Sequence, residues 1–423
     1  MFDRIVVIAD DFTGACDTGV QLATSTRFCP VILDVSDPQA LVKRIGDALD
    51  LYGSVVVDTA SRHSVAADAA AVVSRCAHAA VTAKANVVYK KIDSTLRGNI
   101  AHEIAAAVKG SDRRIAVVAP AYPAAGRTTR NGLCLVDGTP VAETEFGTDP
   151  RSPVSSSRIR DVLPDSRVLH AASAEDLRAC LDKADPGTIV VADATSETDL
   201  DRIVEVCSDR IAELVMVGSA GLAEAIARGR TADGEEVLNE NRGTAGAPDK
   251  SAQHGVLAVV GSRSERARRQ ISRAATDHGC RVIELSLVPT DGSWSVSPAV
   301  VTEIIEALGS NRRVIVVPPH RLDPNGPGAE DVSAALSSTA ARTWATGKVL
   351  GFFLTGGDTA RSVAAAVGAT EILIRSQVEP GVPAVTLIRQ GDPIRAVTKA
   401  GGFGSDDAIV RAFDYLMEDS CWV

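Results

Sequence analysis

Short valine-rich apolar runs alternate along the chain with longer segments in which alanine and leucine recur at helical spacing. In the first half the runs are RIVVIA, SVVVDT, NVVYKKID, RRIAVVAP, GTIVVAD and ELVMVG. A continuous apolar run of this length predicts a strand buried on both faces, as in a parallel sheet. Between them, AADAAAVVSRCAHAAVTAK and SAEDLRACLDKAD predict helices. The alternation therefore predicts a mainly parallel sheet flanked by helices. It stops at RGRTADGEEVLNENRGTAGAPDKSAQHG, which is polar, rich in Gly, Glu, Asn and Asp, and without periodic apolar positions. It restarts with VLAVVG, ERARRQISRAATDHG, RVIELS, RRVIVVPP, KVLGFFLTGG and PAVTLIR. The expected organisation is two α/β domains, residues 1–228 and 255–423, joined by a linker over 229–254. Within the first, VAETEFGTDPRSPVSSSRI is irregular and reads as a long surface loop. A chain of 423 residues exceeds one ordinary core, which agrees with two domains.

In open α/β sheets, ligands gather at the carboxyl ends of the strands. The first run is followed by Asp10, Asp11, Thr13, Gly14 and Asp17, and SVVVDT by Ser61, Arg62 and His63. After NVVYK come Lys91, Asp93, Ser94, Arg97 and Asn99, and after RRIAVVA come Tyr122, Gly126, Arg127 and Arg130. Taken singly, an Asp here is usually a helix N-cap, and a Lys or Arg is usually solvated. Asp11 or Thr13 can cap the helix beginning near Gly14, which leaves one aspartate of the adjacent pair unexplained. The joint occurrence points to a small ligand bearing a carboxylate and hydroxyls. Basic side chains would take the carboxylate, Arg through two parallel bonds. The aspartates would accept from hydroxyls, and one could remove a proton from an attacking hydroxyl.

The second domain carries turns of another kind. Gly261-Ser262-Arg263-Ser264 and Thr355-Gly356-Gly357-Asp358-Thr359 each join a strand to a helix. Lys399, Gly401, Gly402, Phe403 and Gly404 lie between an extended run and the last helix. Glycine lets backbone approach an anion, and the amides opening a helix point at it. Three such turns in one domain predict a nucleotide phosphate site, although none matches GxxxxGK[ST] or GxGxxG. A domain for a hydroxy acid joined to one for a polyphosphate predicts a phosphotransferase using ATP and Mg²⁺. The reaction would then lie in a cleft between the domains, closed against water.

Charge and cysteine usage narrow this picture. A net charge of −10 argues against a nucleic-acid partner and requires any anion site to be a local basic cluster. The eight cysteines have no metal-ligand spacing and sit mostly inside predicted elements, as buried hydrophobes in a reducing cytosol would. No run is long enough to span a membrane, and the chain enters its first strand without a leader pattern. The expectation is a cytoplasmic protein with no membrane partner. Alanine–valine helix faces leave room for a homodimer.

The segments IADDFTGACD, KKIDSTLRGN, PAYPAAGRTT, FGTDPRSPV, GSRSERARRQI, TGGDTA and KAGGFGSDDA, in this order, resemble the four-carbon acid sugar kinases over nearly the whole chain. The resemblance implies an N-terminal sugar-acid domain and a C-terminal nucleotide domain. It also implies transfer of the ATP γ-phosphate to the terminal 4-hydroxyl of threonate, erythronate or an oxo-tetronate. Carried over, Asp11 with Asp10 beside it, Arg62, and Lys91, Ile92, Asp93 and Ser94 fall at the sugar acid. Ser262, the stretch from Gly356 through Gly357 and Asp358 to Thr359, and Gly401 to Gly404 fall at ATP. Arg97, Ser264 and Lys399 join these two sets from the reading of the residues alone. Asp11 is expected to order substrate hydroxyls, and Asp93 or Asp10 to accept the proton. The metal ligands are not assigned. The DTGVQ stretch resembles members acting on D-threonate, while Cys16 departs from the usual Ser, Thr or Asn. A non-catalytic sugar-acid sensor is the rival from another class, and the intact glycine turns argue against it. The adjacency of the two aspartates argues against a DxDxT phosphatase, whose spacing differs.

Overall fold

The computed structural model describes residues 2–23, 27–149, 152–163, 166–232, 254–290, 293–320, 326–418 and 422. It divides into two units, Met1–Leu238 and Asn239–Val423. Most of the stretch expected as a linker, residues 233–253, lies outside the described residues.

The first unit begins with β1 (Ile5–Ala9), α1 (Phe12–Leu22), β2 (Cys29–Ile32), α2 (Pro38–Tyr52) and β3 (Ser54–Asp58). It continues through α3 (Ala66–Thr82), β4 (Val87–Lys91), α4 (Ile100–Gly110) and β5 (Ile115–Ala119). Three short strands follow, β6 (Arg127–Arg130), β7 (Leu133–Val136) and β8 (Thr139–Pro140). The unit closes with β9 (Arg167–Ala171), α5 (Ala174–Lys183), β10 (Thr188–Ala192), α6 (Glu197–Ser208), β11 (Leu214–Gly218) and α7 (Ala220–Ala232). The main sheet is parallel throughout, in the order β2-β3-β1-β4-β11-β5-β10-β9. Its central strands are valine-rich and buried at every residue, as two covered faces require. Strands β6, β7 and β8 form a separate antiparallel sheet that the apolar pattern did not mark. The pattern also missed β2 and β9: one is a four-residue run containing proline, the other is only partly buried, with charged or polar residues at its exposed positions. Register decides what the sheet presents. Ala9 stands opposite both Asp58 and Lys91, so β1, β3 and β4 end level and their following residues share one edge.

The second unit comprises β12 (Gly255–Val260), α8 (Glu265–His278), β13 (Arg281–Glu284), β14 (Leu287–Thr290), β15 (Ser293–Val296) and α9 (Pro298–Asn311). Next come β16 (Arg313–Val317), α10 (Ala329–Ala345), β17 (Val349–Thr355) and α11 (Gly357–Ala366). Last are β18 (Ala369–Glu379), β19 (Val382–Arg389), β20 (Ile394–Lys399) and α12 (Ala408–Met417). The strand order is β13-β16-β12-β17-β20-β19-β18, the first five parallel and the last two antiparallel. Here too register sets the edge: Val260 pairs with Thr355, and Thr355 with Lys399.

Among the described residues every cysteine is free, and all but Cys180 are buried, as expected of small hydrophobes. No helix among them is long and apolar enough to cross a membrane.

One polar group sits deep in the first core. The Lys90 ammonium, on a fully buried side chain, pairs with Glu103 of α4 at 2.8 Å. The other Glu103 oxygen accepts from the Ser61 hydroxyl at 2.6 Å, and Ser61 also meets Thr59 at 2.8 Å. This network ties β4, α4 and the turn after β3 together. Removing one member leaves the other charge uncompensated in the core, at a cost of about 3–5 kcal/mol. Glu103→Ala is therefore expected to lower unfolding stability by about that amount in a urea titration. Lys90→Met with Glu103→Leu should recover most of it.

Candidate active site

Two adjacent carboxylates at the end of β1 converge on one guanidinium. Arg62 donates through Nε and Nη2 to the two oxygens of Asp10, at 2.8 and 2.9 Å. Its Nη2 also reaches Asp11 at 2.6 Å. Asp11 is at the same time the N-cap of α1, accepting from the Gly14 amide at 3.0 Å and from the Thr13 hydroxyl at 2.5 Å. The cap and the unexplained aspartate are thus resolved: Asp11 caps the helix and Asp10 is the fully forked partner of Arg62. Burial works to raise the Asp10 carboxyl, but Arg62 with Lys90 and Lys91 outweighs it and holds the group below the usual carboxylate range. Burial likewise works to lower Arg62, and Asp10, Asp11 and Asp93 reverse this, leaving the guanidinium firmly charged. The turn that brings Arg62 here uses Ala60 in the left-handed region, at φ 51°.

The segment after β4 supplies the rest. Lys91 is almost wholly buried, unlike most single lysines at strand ends. A Cβ added at Gly14 would lie 2.9 Å from its Nζ, so the ammonium rests against the first turn of α1. Ile92 is buried and its amide donates to the Gly218 carbonyl at 2.9 Å. Asp93 accepts from Arg97 Nε at 2.7 Å and from the Thr95 hydroxyl. Burial opposes ionisation of Asp93, yet Arg97 and Arg62 hold it well below the usual range. Ser94 is half-buried, and its carbonyl accepts from the Cys134 thiol. Arg97 also reaches Asp149 at 3.2 Å and lies over the Phe146 ring at 5.2 Å, which joins KIDSTLRGN to FGTDPRSPV. Gly98, at φ 98°, passes so close that a Cβ there would sit 3.1 Å from Asp10. Beside these groups opens a cavity of about 560 Å³ whose lining includes Arg62, His63, Arg97, Asn99 and Ser152. Arg127 does not join the cluster; its side chain donates to the Ala125 carbonyl.

In the second unit all three glycine turns meet. Ser264 caps α8, accepting from the Ala267 amide at 3.1 Å, and its hydroxyl donates to the Gly401 carbonyl at 2.7 Å. The Ser262 hydroxyl lies 3.2 Å from that of Ser264. A Cβ at Gly401 would collide with Ser262, and one at Gly261 with Thr359. Gly356, at φ 98°, requires glycine, and its amide donates to the Lys399 carbonyl at 3.2 Å. Thr359 is buried, whereas Gly357 is half-buried and Asp358 exposed at the start of α11. Lys399 Nζ donates to the carbonyls of Ala400 and Gly401 at 2.9 and 3.2 Å, bracing the turn from below. Burial, aided by Arg266 and opposed by Glu379, brings the Lys399 ammonium down to about 8.

Two supporting residues were not singled out from the sequence. Gln270 Nε2 donates to the carbonyls of Phe403 and Ser405, at 3.2 and 2.7 Å. Its spacing with Ala267 and Ala274 on the buried face of α8 was a legible signal. Glu379 accepts from the amide and hydroxyl of Ser405 at 2.7 and 2.8 Å. Nothing in its local sequence marks it, because β18 reaches this turn only through the folded sheet. Among the described residues, no group of three or more His, Cys, Asp or Glu is placed to hold a metal ion.

Comparison with known proteins agrees with this division. Residues 5–226 match the family model of a sugar-binding N-terminal domain, and residues 257–409 that of a nucleotide-binding C-terminal domain. D-threonate kinase of Salmonella typhimurium is 35% identical over 99% of both chains, and that of Bordetella bronchiseptica 34% over 98% of both. A D-erythronate kinase of Heliobacterium modesticaldum is 28% identical, covering 98% of this chain and 97% of its own. A solved protein of Salmonella typhimurium LT2, provisionally labelled a tRNA synthase, shares the fold with a TM-score of 0.75 at 25% identity. The match covers 97% of this chain and 99% of that one. Fold and site together define a two-domain phosphotransferase acting on a sugar acid and a nucleotide, with ATP as phosphoryl donor. The chain belongs to the four-carbon acid sugar kinase family.

Gly402 is exposed, and a side chain there would meet nothing within 4 Å. Gly402→Val is therefore expected to keep the wild-type melting temperature, to raise KM for ATP at least tenfold, and to leave KM for the acid within twofold. Lys399 loses its charge as pH rises through about 8. KM for ATP should accordingly rise between pH 7 and pH 9, and initial-rate measurements on Lys399→Met should show no such rise.

Proposed function

We propose that this chain transfers the γ-phosphate of ATP to the terminal 4-hydroxyl of D-threonate, giving D-threonate 4-phosphate. The observation that carries the choice of acid is the full-length identity of 34–35% with D-threonate kinases from two organisms. The D-erythronate and 3-oxo-tetronate kinases among the relatives reach 26–29%.

The geometry supports a division of labour along the sheet edge. Strand order β3-β1-β4 sets Arg62, then Asp10 and Asp11, then Lys91 in a row. In this reading Arg62 and Arg97 take the substrate carboxylate beside the 560 Å³ cavity. Asp11 and Ser94 accept from the middle hydroxyls, and Lys91 stands at the reacting end. Ile92 positions the segment through its backbone. In the second unit Ser262, Ser264, Gly356, Gly357, Thr359 and Gly401 to Gly404 surround the phosphates with backbone amides and hydroxyls, and Lys399 adds a cation. Mg²⁺ bound to ATP needs only one or two protein carboxylates, and Asp358 at the opening of α11 is the residue suited to it. The metal would neutralise charge developing on the phosphates.

The deciding experiment is ADP release from Mg-ATP with D- and L-threonate, D- and L-erythronate and the 3-oxo-tetronates. The expected outcome is the highest kcat/KM with D-threonate. A higher value with D-erythronate or a 3-oxo-tetronate moves the assignment to that acid, and silence across the panel overturns it.

A further inference from the structure

The carboxylates expected to serve as bases are already occupied. Both oxygens of Asp10 accept from Arg62. Asp93 accepts from Arg97 and Thr95. Asp11 has Arg62 and the Gly14 amide on one oxygen and the Thr13 hydroxyl on the other. Each of these bonds stabilises the anion and weakens it as a proton acceptor.

Asp17 differs. It lies on α1 three residues beyond Gly14, so the two share one face of the helix. That face meets the Lys91 ammonium, as the 2.9 Å approach to a Cβ built at Gly14 shows. The side chain is half-buried, and its Oδ1 is closed to solvent yet accepts no hydrogen bond. Facing it are Lys91 and Tyr89 from β4, Asp11 from the cap, Tyr122 from the turn after β5 and Glu224 from α7. The Tyr89 hydroxyl donates instead to the Ser219 carbonyl. Burial above all, with Asp11 and Glu224 adding to it against Lys91, raises the Asp17 carboxyl to about 6. A base with a pKa near the working pH is the effective kind.

We infer that Asp17, flanked by Lys91, is the group that takes the proton from the terminal hydroxyl of the sugar acid. The inference rests on the function proposed above and extends the row Arg62, Asp11, Lys91 by one member. As the hydroxyl oxygen bonds to the γ-phosphorus, the bond from that phosphorus to the bridging oxygen breaks and its electron pair leaves on ADP. The hydroxyl proton passes to the Asp17 carboxylate and is later lost to water. The Lys91 ammonium offsets negative charge on the attacking oxygen.

The test uses the full chain with Asp17→Asn, assayed for ADP release with Mg-ATP and D-threonate. The expected result is a fall in kcat of about 100-fold or more, as for loss of a general base. KM for both substrates should stay within about threefold. Wild-type kcat/KM should show an acid limb, activity falling as pH drops through about 6, and the variant should lack it. A variant that keeps kcat within threefold, or keeps the limb, overturns the inference while leaving the kinase reading intact. If Asp17→Asn does not fold, the wild-type profile decides, and the absence of a limb between about pH 5 and 7 overturns the inference. A wild-type enzyme inactive on the whole panel overturns the kinase reading, and this inference with it.

Discussion

The first unit is organised around a guanidinium with three carboxylate contacts. Adjacent aspartates at the end of a buried strand repel one another, and burial adds the cost of desolvating two anions. Arg62 removes that cost by forking onto Asp10 and bridging to Asp11. The same contacts fix the turn after β3 against the end of β1. This turn is held from behind as well, because Ser61 bonds to Glu103, which bonds to Lys90. The cation beside the candidate pocket is therefore fixed twice, by its own ion pairs with Asp10 and Asp11 and by the preceding Ser61, which the core network holds. A site placed on rigid strand ends and backed in this way keeps its geometry without needing a ligand to shape it.

The second unit reaches a similar result by other means. Level strand ends again bring distant segments together, but what they carry is glycine and serine rather than charge. Close approach is the governing constraint. The turn at Gly401 leaves no room for a side chain against Ser262, nor does Gly261 against Thr359. Gln270 and Glu379 then take up the carbonyls, amide and hydroxyl that the last turn would otherwise leave unpaired. The result is a backbone surface of the kind that receives phosphate, supported by side chains facing away from it.

Much of this was legible in the residues. Buried parallel strands announce themselves as valine runs, and the residues just beyond them had only to be collected in order. Less was legible where local sequence admits two physical roles. Asp11 turned out to be the cap and an Arg62 partner together, which no one-dimensional pattern separates. Lys91 was expected at the sugar acid, but its burial against the first turn of α1 is visible only in the fold. Strands β2 and β9 lacked a long apolar run, one through its length and the other because Arg167 and His170 interrupt it. Glu379 could not be read at all, since its role depends on the antiparallel return of β18 and β19.

Charge balance in the first site bears on how the acids are told apart. Asp10, Asp11 and Asp93 face Arg62, Lys91 and Arg97, so the innermost groups nearly cancel. With the whole chain at −10, no broad positive field draws an anion in. Threonate, erythronate and the oxo-tetronates carry the same single carboxylate, and electrostatics treats them alike. What differs is where their hydroxyl or oxo oxygens stand relative to fixed acceptors such as Asp11. A site built to accept from a hydroxyl rejects an analogue that leaves its acceptor unpaired far more strongly than one differing only in bulk. If Asp11 accepts from a substrate hydroxyl as proposed, discrimination within the family falls to its rigid placement by the cap and by Arg62.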